Sequence, residues 1–302
     1  MIFNQDSPKI PACEGQFQSR ECYLQIPANN TKLYKIMAFS NFEKSVQENY
    51  LHFNRVDTYK DEEIDDFRDS DLTDVDSIFT KKIPFEKDKN STAYDYYVLS
   101  RKRSYACCFS TINSKNNHKY SRGCDNPILI VFDFQKLVEF LRLNFENLRI
   151  INEGKTYKNI FNLDYGLVDY GCRKSTSLIK NNCLPNPLEP VFFKDKIYEE
   201  DNEFRICLSA IGMGKFILGD KEFNFPDSIA LSFNFQEANQ QGVINCIEIL
   251  SNFNPELKSQ LEKLLKNVKF KYLNKKKSTS IVTNCYGFIK KIYNLLRMVL
   301  LK

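Results

Sequence analysis

The sequence predicts an α+β fold, a mixed and largely antiparallel set of sheets with flanking helices. Short apolar runs bounded by turn residues recur along the chain, as strands do. A few stretches repeat apolar residues at helical spacing behind a capping residue. The 302 residues include 25 Phe and 16 Tyr but no Trp, so aromatic burial must supply much of the core energy.

Taken in order, residues 1–30 hold Pro8, Pro11, Gly15 and Pro27 without periodicity and read as an irregular arm. Leu33–Phe39 reads as a strand. Ser40 and Glu43 have capping-box spacing, so a short helix is expected from Ser40 to about Tyr50, followed by a strand over Leu51–Val56. The acidic stretch 60–80 and the polar stretch 84–94 read as loops with some helix. Strands are expected at Tyr96–Ser100, Tyr105–Ser110 and Ile128–Phe132. Asp133 then caps a helix whose stripe is Leu137, Phe140, Leu141, Phe145 and Leu148. After a polar connection, Leu167–Tyr170 reads as a strand, and residues 171–190, with three prolines, as loop. Val191–Lys194, Phe204–Ser209, Lys215–Leu218, Ser228–Phe233 and Val243–Leu250 continue the strands. Asn254-Pro255-Glu256 opens a helix, with a capping side chain, Pro at the first helical position and an acid in the first turn. Val268–Tyr272 closes a domain spanning 31–278. The tail 279–302 reads as an amphipathic helix with Ile281, Cys285, Phe288, Ile292, Leu295 and Val299 on one face. Lys290, Lys291 and Arg297 interrupt it too often for a membrane span. It suits packing on the domain, a protein partner, or peripheral contact with an anionic membrane.

The net charge of +5 is mild and uneven. Nine acidic residues lie between Asp61 and Asp76, and seven lysines between Lys263 and Lys277. The lysine stretch interleaves with Phe270 and Tyr272, a pattern able to bind a nucleic-acid backbone and stack bases, or to protect a strand edge. The ten cysteines make no Cys-x-x-Cys pair and there are two histidines, which excludes an ordinary structural zinc site. The acidic run lacks the alternation and central Gly of a calcium loop. No metal is expected. Residues 1–20 lack a secretory pattern, so the thiols are expected to be reduced and the protein cytoplasmic. Cys107-Cys108 ahead of His118 admits a Cys–His nucleophile, against the commoner buried-thiol role.

The segment Lys194–Leu208 concentrates the chemistry. In a strand, alternation puts Phe204, Ile206 and Leu208 on one face and Asp201, Glu203 and Arg205 on the other. Arg205 can orient Glu203 in a bidentate pair, and Glu203 can act as a base or stabilise a developing cation. The same face can equally be a solvated salt-bridge ladder.

An ordered set of residues extends this reading. Tyr34 stands in a first strand, followed by a capped helix and Leu51-His-Phe-Asn-Arg-Val-Asp-Thr-Tyr-Lys-Asp61, with Arg55 and Asp61 in it. Cys108-Phe-Ser110, Tyr120, Ile128–Asp133 and Val168-Asp-Tyr170 follow. Then come Phe193, Lys194, Tyr198, Asp201, Glu203 and Arg205, and last Ile247-Glu-Ile-Leu250. Over residues 33 to 280 this resembles the bacterial family known as domain of unknown function 2971. The chain departs from that pattern at Glu62, where the family has Pro, at Ile64, His118 and Asp201. The layout is similar in outline to ADP-ribosyltransferase-like folds. The resemblance implies an NAD-dependent enzyme of toxin, effector or defence biology. Tyr34 would lie near nicotinamide, Tyr120 would stack on the cofactor, and Glu203 would stabilise the ribosyl cation. Arg205, Lys194, Asp201, Asp61 and Arg55 would be the cofactor-binding set. The other class of function open to this sequence is a non-enzymatic interaction module working through 263–277 and the tail.

Overall fold

The computed structural model describes residues 9–11, 17–19, 25–58, 84–85, 88–113, 124–171, 188–194, 196–210, 214–218, 221–250 and 253–272. Tyr120, Asp61, His118, the acidic stretch 60–80 and the tail 279–302 lie outside them.

Twelve of the described strands form one sheet. They are β1 (Phe17–Ser19), β2 (Lys32–Ala38), β3 (Tyr50–Arg55), β4 (Ser104–Ser110), β5 (Pro127–Asp133) and β6 (Arg149–Asn152). They continue as β7 (Lys155–Lys158), β8 (Asn162–Leu167), β9 (Glu203–Ser209), β10 (Ser228–Ser232), β11 (Ile244–Ile249) and β12 (Phe270–Tyr272). The helices are α1 (Phe39–Glu48), α2 (Ala93–Lys102), α3 (Phe134–Leu143), α4 (Phe235–Gln240) and α5 (Lys258–Leu264). Pairing is mostly antiparallel, as an α+β fold requires, with β11–β12 and β8–β1 the parallel pairs of this sheet.

The sheet forks at β4. One edge of β4 meets β9 along all seven residues. Its other edge meets β3 at Tyr105 and Ala106 and β2 at Ser110. One wing continues from β2 through β5 and β11 to β12, the other from β3 through β10 and β6 to β7. At the fork the Lys35 ammonium donates to the Cys108 carbonyl at 3.2 Å, supplying a donor where no strand does. Both wings contribute to one apolar core, with Leu33, Phe109, Ile130, Phe132 and Phe204 beside Leu51, Phe53, Ile150 and Leu231. A smaller cluster on the opposite face of the fork sets Leu188, Val191 and Phe192 against Val56, Ala106 and Cys207.

Several expectations are corrected. Tyr96–Ser100 is helical, not a strand. Thr92 and Asp95 form a reciprocal capping box, and Ala93, Tyr97 and Ser100 are buried at helical spacing. The box expected at Ser40–Glu43 does not form. Helix α1 starts from Ala38 with no side-chain cap, and the Phe39 N–H donates instead to the Asn126 carbonyl at 3.1 Å. The N-terminal arm is not wholly irregular. Lys9–Pro11 pairs with Lys215–Leu218, and β1 pairs with β8. The polar stretch 84–94 contains a strand pair, Pro84–Phe85 with Asp88–Thr92, and then the start of α2. At the third proline of the middle loop, Pro190, Glu189–Phe192 is a 3-10 turn, which leaves only Phe193–Lys194 as strand. The strand expected at Leu167–Tyr170 begins earlier, at Asn162, and breaks at Val168. The polar connection before it holds the β6–β7 hairpin, turned by Glu153 (φ 49°) and Gly154 (φ 71°).

Candidate functional site

Five paired residues run straight across five neighbouring strands on the face away from the main core. Glu203 of β9 pairs with Ser110 of β4, which pairs with Tyr34 of β2, then Val131 of β5 and Cys246 of β11. Residues directly opposite share a face, so Tyr34 and Glu203 flank Ser110 about 10 Å apart, two strand spacings.

Glu203 is 7% exposed and Arg205 1%. The Arg205 guanidinium takes Glu203 as a fork, Nε to Oε1 at 2.6 Å and a second nitrogen to Oε2 at 3.4 Å. It also donates to the Val191 carbonyl. Lys194 Nζ lies 3.0 Å from Glu203 Oε2 and 3.2 Å from Asp201 Oδ2. The Glu203 N–H donates to the Tyr170 hydroxyl at 2.8 Å, and the Lys194 ammonium sits over the Tyr198 ring at 5.0 Å. Two cations and two carboxylates therefore close a neutral network beneath residues 188–194. This corrects the solvated-ladder alternative, because the network is buried. It also corrects the register, since Asp201 ends a 3-10 turn over Lys196–Asp201 rather than extending the strand. Asp201 reaches Glu203 through Lys194 instead.

Burial alone would raise the Glu203 pKa. Arg205 first, then Lys194, outweigh it and hold the carboxyl down at about 2. The carboxylate is ionised throughout the physiological range, which suits a fixed negative charge and not a proton acceptor. A depressed folded pKa contributes stability above the unfolded value and loses it as pH falls. Stability is therefore expected to fall by about 3 kcal/mol from this group between the ordinary 4.5 and about 2. Urea denaturation at a series of pH values checks it. The loss should be shallower by that amount in Glu203→Gln.

Tyr34 is half-buried, and its pKa is raised by burial and then by the Glu248 carboxylate. Arg55 is not brought to this row. It pairs with Tyr105, five residues along β4 from Ser110 and on the other face, about 17 Å away. Its side chain holds Asp57 at 2.6 Å and Asp227 at 2.9 Å. Of the basic stretch, Lys263, Lys266 and Lys269 are exposed, while Lys271 is paired with Glu248 at 3.3 Å. Exposed Tyr272 lies under the Lys258 ammonium at 4.3 Å.

Sequence reasoning missed two members of this face, and Lys35, which enters the fork from the core side of β2. Ser110 was visible as the last residue of a strand, but its place between Tyr34 and Glu203 depends on pairing across the chain. Lys35 alternates with apolar neighbours and carries no motif. Glu248 sits inside an apolar run.

Among the described residues no group of His, Cys, Asp or Glu could hold a metal ion, and no helix is long and apolar enough to cross a membrane. Cys107, Cys108, Cys124, Cys207 and Cys246 are free thiols. The chain matches no protein-family model, no curated protein and no solved structure.

Proposed function

We propose that this protein is an NAD-using, ADP-ribosyltransferase-like enzyme whose dinucleotide lies across the outer face at Ser110. The observation that supports this best is the row in which early-strand Tyr34 and late-strand Glu203 flank Ser110 on one face. In this reading Tyr34 lies against the nicotinamide ring. The glycosidic C–N bond breaks with its electron pair leaving on the nicotinamide nitrogen, which leaves a cation-like ribosyl carbon. An acceptor oxygen or nitrogen then bonds to that carbon and gives up its proton. A negative charge already in place stabilises such a carbon without reorganisation. Glu203, held by Arg205 and Lys194, is that charge, and Asp201 positions Lys194.

The test is NAD consumption by the purified chain, read as released nicotinamide, with NAD binding measured separately. The wild type is expected to turn over, and Glu203→Gln to lose about 10²- to 10³-fold while staying folded by circular dichroism. Folded wild type that neither binds nor consumes NAD refutes the reading. Salt-dependent RNA or DNA binding by such protein would instead favour an interaction module at 263–277.

A further inference from the structure

Tyr34 has a second carboxylate on its other side. Glu248 of β11 lies between Leu129 of β5 and Lys271 of β12 on the same outer face. Although 4% exposed, it is loosely held. Lys271 Nζ donates to Oε1 at 3.3 Å and Asn113 Nδ2 to Oε2 at 3.4 Å. Charge-assisted bonds of this kind normally close to about 2.7–2.9 Å, and Glu203 has a partner at 2.6 Å. A buried carboxylate so weakly satisfied gains from a better donor.

Asn113 indicates what that donor is. The chain doubles back after β4, with the Ser110 hydroxyl donating to the Ile112 carbonyl at 3.1 Å. This delivers the primary carboxamide of Asn113 to Glu248. A ligand carboxamide has the same two halves, an NH₂ that the Glu248 carboxylate accepts and a C=O to which Lys271 can donate. Tyr34 stands on the same outer face, with its pKa raised by burial and then by Glu248, and supplies an aromatic ring beside this carboxylate for an aromatic amide.

We propose that Glu248 and Lys271 form a recognition site for a primary carboxamide, and that Asn113 occupies it when no ligand is bound. Resting on the NAD reading above, the carboxamide is that of nicotinamide, displacing Asn113. Nicotinamide would lie on the Glu248 side of Tyr34 and the ribose toward Ser110 and Glu203.

The experiment is calorimetric titration of the full chain with nicotinamide, nicotinic acid and NAD. Nicotinic acid replaces the amide by a carboxylate, which Glu248 repels. Wild type is expected to prefer nicotinamide by about tenfold or more. Glu248→Gln should abolish the preference, and Asn113→Ala should tighten nicotinamide several-fold by removing the competitor. The preference, being a ratio, is insensitive to a partly unfolded sample. An unchanged preference in Glu248→Gln, with NAD still consumed, overturns the carboxamide site and leaves the enzyme reading. Nicotinamide bound with that preference but NAD neither bound nor consumed overturns the enzyme reading and leaves the site. No preference in wild type overturns the site, and no binding of any ligand overturns both.

Discussion

Replacing Arg205 by alanine is expected to destabilise the protein by about 3–5 kcal/mol, read as the loss of unfolding free energy in a denaturant titration. The guanidinium is 1% exposed and holds both oxygens of Glu203 and the Val191 carbonyl. Alanine leaves Glu203 with Lys194 as its remaining cation and leaves the carbonyl and the guanidinium's space empty. The large cost comes from what is stranded, not from the worth of the pair. The double variant Arg205→Met, Glu203→Leu should therefore cost distinctly less than Arg205→Ala alone, because Lys194 still has Asp201 at 3.2 Å. A double variant as damaged as the single one would show that packing, and not the stranded charge, sets the cost.

Phe204→Ala should be comparably damaging, at about 3–5 kcal/mol. Phe204 is fully buried, next to Glu203 but on the opposite face of β9. Its ring centroid lies 5.4 Å from that of Phe134, 6.1 Å from Phe109 and 6.3 Å from Tyr165. One ring thus joins the first turn of α3, the central strand and β8, and a cavity there removes contacts from three elements at once. Phe204→Leu keeps most of the volume and should lose clearly less. Equal losses from Ala and Leu would mean the edge-to-face geometry matters more than volume.

These two residues also mark what was legible in the amino-acid sequence. The period of two assigned Phe204 to the core and Glu203 with Arg205 to the opposite face, and that division holds. That this second face is buried as well was not legible. Its cover comes from Leu188, Val191 and Phe192, brought over β4 and β9 by a 3-10 turn in a proline-rich stretch that reads locally as loop. Strands with uninterrupted apolar runs, such as Ile128–Phe132, were read within a residue or two because burial on both faces is written in composition. Tyr96–Ser100 reads as a strand because Tyr and Val favour strands, while the reciprocal Thr92–Asp95 cap decides for helix. The candidate site was partly legible. Tyr34 and Glu203 came from ordered spacing, but Ser110 and Glu248 join them through pairings across the sheet that no local pattern encodes.

The fork at β4 also sets a schedule for folding. Seven residues at the centre of the sheet pair along one whole edge with β9, roughly 100 residues further along the chain. During synthesis at about 5–20 residues per second, β4 would wait about 5–20 s after leaving the ribosome before its partner appears. Through that interval an apolar strand stands with an open edge. The nascent chain is then most exposed to aggregation and most dependent on a chaperone, and a slower-translated copy should show it first as lost soluble yield.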